Sequence, residues 1–184
     1  MEEATGEKNA SELLGAGIDV ENYSEEDQAV NVANVNLSIG GEAIFGNVKD
    51  FQATVNVGQE LLAIQMANET DGNIMFGLQG SNLYEKKPIT GYVEVGQQAD
   101  NQILCSLIIN EKTSSGETVM YMLEEGNAKL KKFSKEKVVL EINGTVKEMK
   151  NMSSDGNTKE ISGEIVLERP ILTSMGMKIN DVLY

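Results

Sequence analysis

The sequence predicts an all-β protein, an antiparallel barrel or sandwich of about nine to twelve short strands behind a flexible acidic leader. Three observations carry that expectation. Apolar and polar residues alternate at period two through most of the chain. Eighteen glycines stand against two prolines, which suits a closed or nearly closed sheet because proline removes a ladder donor. No convincing amphipathic helical stripe follows residue 28.

Residues 1–28 hold Glu2, Glu3, Glu7, Glu12, Asp19, Glu21, Glu25, Glu26 and Asp27 against one base, Lys8, and are broken by Gly6, Gly15 and Gly17. Leu13, Leu14, Ile18 and Val20 are its apolar surface. That is too little burial to offset the entropy of ordering, so the segment is expected to be mobile or loosely docked, a solvated tail or a tether. A short helix over 10–14, capped by Asn9, is the local element it offers. Residues 29–184 are expected to form one domain.

Within it, Val30 and Val32 alternate with Asn31, then Val35, Leu37 and Ile39 alternate on the shifted phase, which predicts a β-bulge at Ala33-Asn34. Phe51, Ala53, Val55 and Val57 alternate cleanly with polar residues; 61–66 follows, apolar on both faces, then Ile74, Phe76 and Leu78. Further strands are expected at 92–95, 103–109, 118–123, 138–146, 161–167 and 177–183, with Gly163 as a gap in the alternation of Ile161, Ile165 and Leu167. Asp71-Gly72, Ser115-Gly116 and Asp155-Gly156 supply the positive φ angles of tight hairpins.

Composition removes whole classes of function. The 184 residues carry 29 acids, 15 bases and a formal charge of −14, a field that repels phosphate backbones and anionic headgroups. Histidine and tryptophan are absent, and one cysteine makes neither an internal disulfide nor a thiolate zinc site. A Ser-His-Asp triad is impossible, and GxxxxGK[ST], GxGxxG and GxSxG do not occur. Acid pairs such as Glu124-Glu125 sit beside glycine in turn-like sequence, where a solvated rim is expected. No apolar stretch reaches the roughly 18 residues of a membrane-spanning helix. No secretory h-region is present, and Met1 followed by acids fits either a cytoplasmic start or a chain cut after a signal sequence.

The remaining candidates have plain readings. Cys105, inside the apolar run 103–109, is expected to be a buried small hydrophobe. Asn68, Asp71, Asn73, Asp155 and Asn157 offer hard oxygens for calcium, but hairpin turns demand the same residues. Lys129, Lys131, Lys132, Lys135 and Lys137 form a positive island that would meet an anionic partner or the leader, or serve as a polar connection before Val138. Phe133 is its one aromatic, too few to stack nucleic acid. Asn-x-Ser/Thr at Asn9, Asn22, Asn36, Asn68, Asn143 and Asn151 is expected by chance in so Asn-rich a chain. Met66, Met75, Met120 and Met122 suit core filler, or the lining of an adaptable cavity.

One stretch has a familiar rhythm. Gly126 to Phe133 leads through Lys137-Val138-Val139 to Ile142-Asn143-Gly144-Thr145-Val146, then Ser153 to Asn157 and Ile161-Ser162-Gly163-Glu164-Ile165. It resembles the closing strands of small secreted bacterial lipoproteins with a calycin-like or lipocalin-like β-barrel, although Val146 and Ile165 stand where that family usually has Phe. The resemblance implies a cell-envelope or extracellular location, with a lipid anchor upstream of the acidic leader, and no catalytic residue. The expectation is a non-enzymatic envelope β-domain, without cofactor or metal, that binds a small apolar ligand or a protein partner. The alternative is a structural subunit of a fibre, pilus or phage particle assembling by strand pairing, since Asn-rich strands such as 30–39 specify register loosely.

Overall fold

A computed structural model describes residues 18–20, 31–45, 51–68, 72–93, 102–113, 115–150 and 157–184. The expected all-β class holds. Twelve strands are present: β1 (Ile18–Val20), β2 (Val32–Ile39), β3 (Glu42–Ala43), β4 (Gln52–Gly58), β5 (Leu61–Ala67), β6 (Gly72–Gln79), β7 (Ile89–Tyr92), β8 (Leu104–Lys112), β9 (Thr118–Phe133), β10 (Lys137–Lys150), β11 (Thr158–Glu168) and β12 (Ile171–Met175). All lie in one sheet, ordered β1-β12-β4-β5-β6-β8-β7-β9-β10-β11-β2-β3, with β8 also paired to β9. The sheet is mixed rather than purely antiparallel, because β12 runs parallel to β4 and β7 parallel to β8. The remainder of the 1–28 leader and the Asp155-Gly156 turn lie outside the described residues.

The core follows from alternation. Ala53, Val55 and Val57 of β4 face Leu62, Ile64 and Met66 of β5, and Ile74, Phe76 and Leu78 of β6 face Cys105, Leu107 and Ile109 of β8, all buried. Leu130, Leu140 and Ile165 continue the same layer across β9, β10 and β11. At Gly163 a Cβ would run into the carbonyl oxygen of Asn36, so the gap in the β11 pattern is what lets β2 approach.

The ladder is not closed. β4 gives the edge opposite β5 to two different strands: β12 pairs with Thr54 to Gly58, while one bridge, Ala33 to Phe51, ties the start of β4 to β2. Between the two, the Asn31 carboxamide takes the place of a backbone peptide. Its Nδ2 donates to the Ala53 carbonyl and its Oδ1 accepts from the Ala53 amide, both at 3.0 Å.

That contact corrects the expected bulge. Asn31 and Ala33 point inward, Val32 is only half-buried, and β2 runs in unbroken register with β11 from Val32 to Ile39. A polar residue holds the inward position because the Ala53 backbone satisfies both ends of its amide. The bulges are in β9, where Glu124 and Lys131 have no partner in the register with β10. Each shifts the inward phase, from Val119, Tyr121 and Leu123 to Ala128 and Leu130, and then to Phe133. Glu124-Glu125 is therefore mid-strand rather than a turn, and the lysine run 129–132 is strand rather than connection.

Two other boundaries differ. The strand expected at 92–95 is β7, placed at Ile89–Tyr92, and its last expected residues lie outside the described ones. No strand occupies 177–183; Ile179–Asp181 form a 3-10 turn, with Ile179 and the following Val182 buried, and the strands the sequence did not announce are β12 and the short β1 and β3. The chain end is fastened there: Tyr184 exchanges backbone hydrogen bonds with Phe133 at 2.6 and 3.0 Å, and its hydroxyl donates to Leu130 O at 2.5 Å.

Replacing Asn31 with alanine strands two buried backbone groups of Ala53, so Asn31→Ala is expected to cost about 2–3 kcal/mol in urea unfolding. Asn36→Ala, on the exposed side of β2, is expected to change stability by less than ~0.5 kcal/mol. Equal midpoints for the two variants would contradict the role given to Asn31.

Candidate functional site: an uncharged outer face

An antiparallel sheet usually turns polar and charged residues to water on the face away from its core. Here one part of the outer face obeys this and the other does not. Across β9, β10 and β11, Lys131 meets Glu141 and Glu164, both at 3.1 Å, and Lys137 meets Glu168 at 2.9 Å. The hydrogen bond that the Lys131 ammonium donates to Glu164, then the one it donates to Glu141, pushes its pKa upward. Three of these contacts spend lysines of the positive island on neighbouring strands.

By contrast, β4, β5, β6 and β12 contain no Asp, Glu, Lys or Arg at all. Their outward residues fall into rows fixed by register. One row runs Met175, Gly58, Leu61, Gln79, Leu104, Tyr92; beside it lie Thr173, Asn56, Ala63, Gly77 and Ser106. The next runs Thr54, Gln65, Met75, Ile108, Met122. All five exposed large apolar side chains among the described residues stand on this face: Leu61, Met75, Tyr92, Met122 and Met175.

Two hollows flank Leu61. The larger, about 580 Å³, lies between the β4–β5 turn and β12, bordered by Asn56–Gln59, Leu61 and Thr173–Met175. Leu61 and Met175 are 49% and 57% exposed there, unusual for side chains of that size and enough to mark the cleft as apolar. Two polar side chains at its rim, Thr173 and Gln59, are already engaged. Thr173 Oγ1 donates to Asn56 Oδ1 at 2.5 Å, and Gln59 Nε2 donates to Gly176 O at 3.3 Å. Ser174 also borders the cleft, and its buried Oγ has no hydrogen-bond partner. The smaller hollow, about 200 Å³, lies over Gly77, where a Cβ would approach Ser106 Oγ to 3.0 Å.

A buried charge lies elsewhere, on β10. Glu148, 7% exposed, is paired with Lys159, whose ammonium sits 5.9 Å from the centre of the Tyr121 ring. A carboxylate held by an ammonium in this way joins β10 to β11 and β9.

The other sequence candidates are placed as follows. Of the methionines, Met66 is core, while Met75 and Met122 face outward. Asn68 Oδ1 accepts the Gly72 amide at 3.1 Å and Asn73 Oδ1 accepts from Asn110 Nδ2, so both oxygens serve the β5–β6–β8 ladder. Asp71 and Asp155 lie outside the described residues, among which no group of three His, Cys, Asp or Glu comes together. Cys105 is buried as expected. The uncharged face went unread in the sequence, although its signal is there in the charge-free runs of β4, β5 and β6.

Burial pushes the Cys105 thiol up to about 11, against a smaller lowering by the Ala128 backbone. The folded state thus holds this proton more tightly than the unfolded chain does. The stability it contributes is complete below the ordinary thiol value of 9.0 and is lost as pH rises through about 11. At pH 8 a disulfide reagent is expected to label the folded protein about 100-fold more slowly than the urea-unfolded chain. Equal labelling rates would contradict the buried thiol.

No family model, curated protein or solved structure matches this chain.

Proposed function

We propose that the protein is a non-enzymatic binding domain whose cleft between the β4–β5 turn and β12 takes a small apolar molecule. The observation that carries this reading is the pairing of two exposed apolar side chains, Leu61 and Met175, around an opening where Thr173 and Gln59 are already hydrogen-bonded. A ligand there gains contact with apolar surface and displaces water that has few polar partners. The curled, nearly joined sheet also suits the barrel of the lipocalin-like resemblance. The envelope location rests on that resemblance alone. Fractionation of the native cell tests it: recovery with membranes or outside the cell supports it, and recovery in the cytosol removes it.

The alternative reading, a structural subunit, has one observation behind it, the size of the uncharged face. It does not draw on free strand edges, because the sheet ends in β1 and β3, of three and two residues, which offer short ladders to a neighbouring chain.

Titration with a fluorescent fatty acid is the test of the cleft. Saturable binding is expected in the wild type, weakened about tenfold or more in Leu61→Glu and Met175→Glu, since each removes apolar contact and adds a charge. Both positions face outward, so the urea midpoint is expected to stay near that of the wild type. No saturable signal, or full affinity in both variants, would sink the cleft.

A further inference from the structure

We infer that the uncharged face of β12, β4, β5 and β6, with the adjoining outward residues Leu104, Ser106 and Ile108 of β8, docks a second copy of this chain, face to face about a twofold axis. The inference uses the face just described but does not depend on the apolar ligand: it stands if no small molecule binds.

Charge argues for a second copy over an unrelated partner. Two chains of formal charge −14 repel wherever their acids approach. Near a twofold axis each group also meets its own equivalent, so a lone carboxylate or ammonium there faces a like charge. A surface made for that contact uses groups that complement themselves. Carboxamides do, since each both donates and accepts, and apolar side chains do. The face presents Asn56, Gln65 and Gln79 among Leu61, Met75 and Met175, with no charge in four adjacent strands.

Relief and size agree. Leu61, Met75 and Met175 protrude, while Ala63 and Gly77 form a low floor between their rows, with hollows of about 580 and 200 Å³ on either side of Leu61. Knobs and hollows on one patch are what an isologous contact requires. Five strands about 4.8 Å apart, each about seven residues long, cover about 24 Å in both directions. That is roughly 600 Å² in projection and more along the relief, close to the ~800 Å² each partner gives to a stable complex.

Gln65 lies near the middle of the face, exposed, beside Met75 and Thr54. The test is the solution mass of the full chain by light scattering at about 10–100 μM, the range that populates a complex of micromolar Kd. The wild type is expected at the mass of two chains. Gln65→Lys and Gln65→Glu are each expected at the mass of one, and their equimolar mixture at the mass of two, because opposite charges then meet across the axis. Asn36→Lys, on β2 away from the face, is expected to remain at the mass of two. A wild type at the mass of one chain throughout the range overturns the proposal, as does a Gln65→Lys protein that stays dimeric. Two monomeric variants whose mixture also stays monomeric overturn the twofold arrangement.

Discussion

The fold turns on how β4 is held along one edge. β4 leaves β2 after a single bridge and takes up β12 from Thr54 onward, and at the handover the Ala53 peptide would be buried with both its groups unmade. The Asn31 carboxamide supplies the missing donor and acceptor. Its burial is tolerated for that reason, and it ties the start of β2 to β4 where the ladder between them lapses. The register of β2 on β11 starts one residue on, at Val32, and Phe51, bridged to Ala33, packs against Phe45 with ring centres 4.8 Å apart.

Joining the sheet this way divides its outer surface. The strands from the second half of β9 through β11 carry cross-strand lysine–glutamate pairs, which keep that side solvated and tolerant of salt and mutation. The strands from β12 through β6 carry none, although charged residues are 24% of the chain. An acidic domain gains nothing in stability from leaving Leu61, Met75 and Met175 in water. Their grouping in register, rather than their number, is what sets this face apart from the rest of the surface.

Much of this was legible in the sequence. The strict alternation at 51–57 and the Ile74, Phe76, Leu78 triplet gave the right strands and the right inward faces, and the run around Cys105 gave a buried thiol. The failures have physical causes. Asn31 breaks the rule that inward positions are apolar, because its partner is backbone brought near by folding. Glu124 and Lys131 shift phase within one strand, so β9 reads as a short strand, a turn and a polar link. Ile179 and Val182 are spaced by three, the period of a tight turn, so the apolar residues of 177–183 read as a strand that is not there. β12 is short and pairs in parallel with a strand more than a hundred residues earlier, a contact that no local pattern announces. The outer face was hidden for a different reason. Searching for chemistry means searching for charges, and this surface is defined by lacking them.

The central claim is that the uncharged side of the sheet is the working surface. Amide hydrogen exchange, followed while protein concentration and an apolar probe are raised in turn, tests it most directly. The account predicts that protection changes at β4, β5, β6 and β12 and stays constant at β10 and β11. Changes confined to β10 and β11, or none anywhere, would contradict it.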